Sequence, residues 1–98
     1  MVLDQKARGE LERYIDYLIK GVPQLMSRFR EKEFKNILRF QNEEDFLYGA
    51  VYGGIIFGYT ESFYTMFRRH LTDDEMLDFE TIVVKRMREV KNAITNTG

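Results

Sequence analysis

Histidine and cysteine, the side chains that most often carry out acid–base, nucleophilic or thiolate–metal chemistry, are nearly absent from this sequence. Its only histidine, His70, lies in the segment FRRH at a predicted helix end, where a cation that interacts with terminal carbonyl groups has an ordinary structural role. The sequence contains no cysteine, and it lacks the spacings of zinc proteases, di-iron bundles, phosphate loops and nucleophile elbows. We therefore predict no catalytic residue, no metal site and no cofactor, and we expect that the protein is not an enzyme.

Two runs of carboxylates, at 43–45 and 73–75, could bind a cation, but both are better explained as the starts of helices. The segment NEED at 42–45 offers Asn42 as an N-cap and three carboxylates for the first turn, and no calcium-loop spacing accompanies it. Thr72 and Glu75 have the spacing of a capping box. We therefore predict that helices begin at these two places.

Glu61 differs from these acids because it does not lie at a predicted helix start. It lies beside a line of small residues on an otherwise apolar predicted helix. If it were buried, its carboxylate would need a partner such as a tyrosine hydroxyl or an arginine. Glu61 is therefore a candidate buried functional acid, and the alternative is an edge residue that faces water.

A strip of cations is predicted on the second helix. Its members recur at steps of four, three and four, which places them within about 60° of one another on a helix: Arg28, Lys32, Lys35 and Arg39. Such a strip could follow the phosphate backbone of a nucleic acid. An acidic protein partner, an anionic membrane surface, or a solvated face paired with acids of another helix would fit the same residues.

The segment FLYGAVYGGIIFGY at 46–59 contains four glycines and no charge. Four glycines cost about 3 to 4 kcal/mol of helix propensity relative to alanine, so a compensating contact is expected. A face without side chains lets another helix approach closer than the usual separation of about 8 to 10 Å. We predict a homodimer with these interface residues: Gly49, Ala50, Gly53, Gly54, Phe57 and Gly58. The alternative is that the glycines admit the first or the last helix of the same chain.

Residues 46–67 also approach the length of a membrane span, about 20 residues. Glu61 lies within the segment, and its tyrosines are dispersed rather than collected at the two ends. The neighbouring helices are amphipathic and need a shared core. We therefore expect that this segment does not span a membrane.

Apolar residues at steps of three and four indicate helices throughout the chain. The 98 residues contain one proline and no linker or repeat, so we predict a single domain over 1–98. The fold class is predicted to be all-α, a four-helix bundle-like domain with the Gly-rich third helix at its centre. The predicted helices cover about 3–20, 23–40, 43–70 and 73–95.

Composition narrows the function only slightly. The net charge is −1, so nothing draws the whole molecule to nucleic acid, and the charged N-terminal segment does not resemble a secretory signal. We expect a cytoplasmic protein whose abundant Glu, Lys and Arg lean toward a thermophile's composition. The sequence indicates a small interaction or assembly protein that self-associates through the Gly-rich helix, without indicating a biochemical role. The alternative is a nucleic-acid-binding protein, with a regulatory role, that uses the basic strip of the second helix.

Overall fold

The computed structural model of this chain describes residues 2–97, which form five α-helices that pack against one another. About 84% of the structure is helix, and residues 2–97 contain no strand. The prediction of an all-α fold is therefore confirmed, whereas the predicted number of four helices is wrong. In chain order the helices are α1 (Gln5–Lys20), α2 (Val22–Phe29), α3 (Lys32–Leu38), α4 (Glu43–Phe67) and α5 (Asp73–Thr97).

The helix predicted over 23–40 is broken in two. The chain leaves the helical conformation at Glu31, whose φ of −62° and ψ of 140° are extended. This bend brings the ring of Phe34 edge-on to Phe29, at 6.0 Å between centroids, while Phe29 packs against Phe46 of α4 at 5.1 Å. The break therefore allows apolar rings on both sides of it to share one cluster, which a straight helix would keep apart.

The Gly-rich helix is consequently the fourth helix, and it is shorter than predicted. It ends at Phe67 instead of His70, because Arg68 adopts a left-handed conformation with φ of 56° and caps the helix. At its start, Asn42 accepts a hydrogen bond from the backbone of Asp45 at 3.0 Å, as predicted. The local cap signals therefore fixed the beginning of α4 more accurately than its end.

The core lies between α1, α2, α4 and α5. From α4 it receives one apolar residue per turn, at steps of four, and these side chains are all buried: Leu47, Val51, Ile55, Tyr59 and Phe63. They pack along α5 and α1, and α2 covers another side of α5. The Gly-rich helix is thus buried along one side only, whereas α5 packs against α1, α2 and α4. The predicted central position of the Gly-rich helix is not confirmed.

Among residues 2–97, Tyr59 is the only tyrosine that is buried in this core. It is 1% exposed, and its hydroxyl donates a hydrogen bond to the backbone oxygen of Ala7 at 2.7 Å. Burial, with smaller contributions from Asp4 and other acids, raises the pKa of Tyr59 to about 12. The hydroxyl therefore stays protonated at physiological pH and links α4 to the first turn of α1.

Replacing Tyr59 with phenylalanine is expected to lower the free energy of unfolding by about 1 kcal/mol at pH 7, because the buried oxygen of Ala7 loses a donor. The raised pKa stabilises the fold below pH 10, and that stabilisation is lost as the pH rises from 10 toward 12. Urea unfolding at pH 7 and above pH 10 would measure both effects. The variant should converge with the wild type at alkaline pH. A deficit that stays constant with pH would contradict a buried, ionisable Tyr59.

Candidate functional site

A groove opens between the C-terminal half of α1, α2 and α4, with a volume of about 860 Å³. Its walls include Tyr17 and Lys20 of α1 and Gln24 and Arg28 of α2, and its floor includes Ala50 and Gly54 of α4. The floor is low because Ala50 carries only a methyl group and Gly54 has no side chain. A Cβ atom added at Gly54 would meet only one atom, Cδ1 of Leu18 at 4.0 Å. Within residues 2–97, no other atom from outside α4 lies within 4 Å of that Cβ position.

The glycines of α4 divide into two groups. At Gly49 and Gly53 an added Cβ atom would meet nothing within 4 Å, so these two positions face open space. Gly58 is covered by Tyr14 of α1, because an added Cβ atom would overlap the hydroxyl and lie 2.7 Å from Cζ. The Tyr14 hydroxyl also donates to the backbone oxygen of Gly54 at 3.3 Å. Gly58 therefore packs within the chain, as the alternative interpretation expected, and it is not free to contact a second copy.

The outer face of α4 continues from the groove floor. At about 100° per residue, four residues lie within about 60° of one another. We call them the outer strip: Ala50, Gly54, Phe57 and Glu61. Phe57 is 76% exposed, although it is among the largest apolar side chains in the protein. Phe57 thus projects from the same face that forms the groove floor.

Glu61 is exposed, so the idea of a buried functional acid is wrong. It belongs to the solvent side of α4, which the sequence left open as the alternative. Its side chain forms no ion pair within residues 2–97. Glu61 is therefore an unpaired negative charge on the outer strip.

The basic strip does not lie on one helix. Arg28 belongs to α2, Lys32 and Lys35 belong to α3, and Arg39 is the left-handed residue that caps α3. All four are exposed. None of them forms an ion pair with a carboxylate of residues 2–97, unlike neighbouring Arg30, which bonds to Glu43 at 2.5 Å. These cations are therefore available to an anion, although the break in the helix changes their alignment.

The remaining candidate chemical groups do not converge. His70 is exposed, and its ring lies against that of Tyr64, with 4.8 Å between the centroids. Within the described part of the chain, no three acids or histidines gather in a way that could hold a metal ion. Glu75 forms a cap with Thr72 at the start of α5. Its carboxylate accepts from the backbone N–H of Thr72 at 2.9 Å, and its own N–H donates to the Thr72 hydroxyl at 3.2 Å. The predicted capping box is confirmed.

Sequence reasoning missed the residues of α1 that form the groove walls. Tyr17 is 71% exposed, and Lys20 stands beside it at the end of the helix. One signal could have found Tyr17, because it is a bulky aromatic residue outside the apolar stripe that contains Leu11, Ile15 and Leu18. Aromatic side chains that a helix leaves outside its buried stripe are enriched at binding surfaces.

Among residues 2–97, no helix combines the length and the apolar composition that crossing a membrane requires. Comparison of the chain with protein families, with curated proteins and with solved structures finds no match.

Proposed function

We propose that the protein is a small helical assembly protein that self-associates through the groove and the outer strip of α4. The observation that carries the proposal is the position of Phe57 on the face that forms the groove floor, where a large apolar side chain is left 76% exposed beside a groove of about 860 Å³. Fully burying a phenylalanine side chain contributes about 1.5 to 3 kcal/mol. A symmetric dimer gains this contribution twice.

The small floor residues explain why a helix is the expected occupant. Ala50 and Gly54 leave the backbone of α4 accessible from the groove. A second helix placed there can approach α4 more closely than bulky side chains would allow and gain dispersion contacts along its length. The helix propensity lost at the glycines is offset in this way at Gly53 and Gly54, as Tyr14 offsets it at Gly58.

The test is the dissociation constant of the dimer, measured by light scattering after size exclusion over a range of concentrations. Gly54→Leu fills the groove floor and is expected to raise the dissociation constant at least about tenfold, because overpacking prevents close approach. Gly49→Leu is the matched control, since Gly49 faces open space and, at about 100° per residue, points about 100° away from Ala50 on the groove floor. It should leave the dissociation constant unchanged. Circular dichroism establishes that both variants remain folded.

Two outcomes would reject self-association through the groove. One is a folded wild type that stays monomeric up to about 1 mM, where binding is weaker than about −4 kcal/mol. The other is an equal effect of the two leucine variants, which would show that the groove floor is not part of the contact.

A second candidate function rests on the unpaired cations of α3. Lys32 and Lys35 are exposed and have no carboxylate partner within residues 2–97. A duplex DNA or RNA backbone would provide the missing anions. Replacing both lysines with glutamine should then weaken binding to a duplex and reduce the slope of log affinity against log salt by about 2, at about 0.9 per phosphate contact. The control is Lys85→Gln/Lys91→Gln on α5, and equal losses in the two double variants would reject a specific nucleic-acid surface.

A further inference from the structure

We infer that each copy of the chain docks antiparallel on the other, with Phe57 of each over the groove of its partner and Glu61 of each paired with Arg28 of its partner. This inference rests on the proposed self-association and adds the register and the charge pair that fix it. The occupant of the groove is thus a second copy of this chain, presenting the outer strip of its own α4.

Charge complementarity is the first observation behind this inference. The groove wall carries two exposed cations, Lys20 and Arg28, and neither forms an ion pair within residues 2–97. The outer strip carries one acid, Glu61, which is also exposed and forms no ion pair within residues 2–97. Glu43 lies on the same side of α4 near its start, but it is already bonded to Arg30. The groove is therefore positive where the exposed strip is negative, which is the arrangement that favours docking of one on the other.

The spacing along α4 gives the register. We place the two-fold axis of the antiparallel pair between positions 53 and 54. The numbers of any two facing residues then have the same sum as 53 and 54. Position 57 of one copy then faces position 50 of the other, so Phe57 lies over the methyl group of Ala50 on the groove floor. The two glycine pairs at the axis bring the backbones close together, which is possible because Gly53 faces open space and Gly54 meets only Leu18.

The same register brings the two charges together. Glu61 lies one helical turn beyond Phe57, and position 61 faces position 46 of the partner copy. Phe46 contacts Phe29 of α2, with 5.1 Å between ring centroids, so Arg28 stands at this level of the groove wall. Glu61 of one copy therefore arrives where the partner's α2 presents its unpaired guanidinium. The two-fold axis creates the same pair a second time.

Reversal of each charge gives a test with a specific pattern of outcomes. Arg28→Glu places two acids at both contacts of the dimer, and Glu61→Arg places two cations there. Each single variant is therefore expected to raise the dissociation constant of its own dimer at least about tenfold. An equimolar mixture of the two variants should form a heterodimer, because both contacts then join opposite charges. The double variant Arg28→Glu/Glu61→Arg should dimerise within about threefold of the wild type, since the same pairs are restored in reverse.

Lys32→Glu is the matched control, because Lys32 is an exposed, unpaired cation near Arg28 that does not line the groove. It should leave the dissociation constant unchanged. Circular dichroism of each variant establishes that it is folded. If a charge reversal prevents folding, the single variants Arg28→Gln and Glu61→Gln provide a weaker version of the same comparison.

The outcomes separate this inference from the proposed function. A dimeric wild type that Gly54→Leu disrupts, combined with single charge variants that dimerise normally, would overturn the register and leave self-association standing. Single variants that are monomeric and do not associate when mixed would also overturn it. A monomeric wild type would reject both proposals.

Discussion

Replacing Gly58 with leucine is expected to lower the free energy of unfolding by about 3 kcal/mol, whereas the same replacement at Gly53 should change it by less than about 1 kcal/mol. Both glycines lie on α4, only five residues apart, and both carry the same helix propensity. The difference arises from what covers them. The ring of Tyr14 occupies the space that a side chain at Gly58 would need, and nothing lies within 4 Å of a Cβ atom at Gly53.

The cost at Gly58 has two parts. The aromatic ring of Tyr14 is rigid, so it must swing away from α4 as a whole and cannot yield by a small bond rotation. Its hydroxyl then loses the hydrogen bond to the backbone oxygen of Gly54, which measures 3.3 Å. At Gly53 leucine improves helix propensity by somewhat less than 1 kcal/mol and meets no obstacle, so a small gain in stability is expected.

Urea unfolding followed by circular dichroism measures both variants, at a protein concentration where scattering shows monomers. The control is a double-mutant cycle with Tyr14→Ala, because Gly58→Leu should cost much less once the ring is absent. Similar stabilities for Gly53→Leu and Gly58→Leu would contradict the packing of Tyr14 on Gly58.

Replacing Glu75 with glutamine is expected to lower the free energy of unfolding by about 2 kcal/mol at pH 7 and to have almost no effect near pH 2. Glu75 is 7% exposed and is the only charged residue that is buried in residues 2–97. The guanidinium of Arg69 donates two hydrogen bonds to it, at 2.7 and 2.9 Å, and the backbone of Thr72 donates a third. These bonds lower the pKa of Glu75 to about 2, and the hydrogen bonding from Arg69 has the largest effect.

The direction of the pH dependence follows from the lowered pKa. The folded state holds Glu75 ionised down to about pH 2, whereas the unfolded chain takes up the proton at about 4.5. The stabilisation is therefore complete above about pH 4.5 and is lost as the pH falls toward 2. The full shift would correspond to about 3 kcal/mol at about 1.4 kcal/mol per unit, and we expect less because the side chain of Arg69 is half exposed and screened by water.

Unfolding by urea at pH 7, 4 and about 2 measures this dependence in the wild type and in Glu75→Gln. Glu80→Gln is the control, since Glu80 is exposed and forms no ion pair within residues 2–97. A difference between wild type and Glu75→Gln that is equally large at all three pH values would show that the loss comes from packing and not from the charge.

The starts of α4 and α5 could be predicted from sequence because the groups that satisfy each helix end lie within four residues of one another. The amide of Asp45 needs an acceptor, and Asn42 supplies it in any chain that begins a helix there. Thr72 and Glu75 satisfy each other in the same way. The buried residues Val51, Ile55 and Tyr59 recur at steps of four, because burial repeats with the period of the helix.

The break between α2 and α3 could not be predicted in this way. The residues around Glu31 have ordinary helix propensity, and no proline or glycine interrupts them. The bend is favoured by contacts among Phe29, Phe34 and Phe46, which come from three different helical segments or their ends. Such contacts depend on the position of α4. The helix propensities of the residues near Glu31 carry no information about that position.

By itself, the sequence determined that the chain is helical, where α4 and α5 begin, and that α4 has one side poor in side chains. Only the tertiary structure decided what each glycine faces. Gly58 lies under Tyr14, Gly54 lies on the floor of a groove, and Gly53 faces open space. The physical reason is that a glycine has no side chain whose polarity could indicate its surroundings. Its environment is set by the packing of α1 against α4, through residues about 40 positions away in the chain.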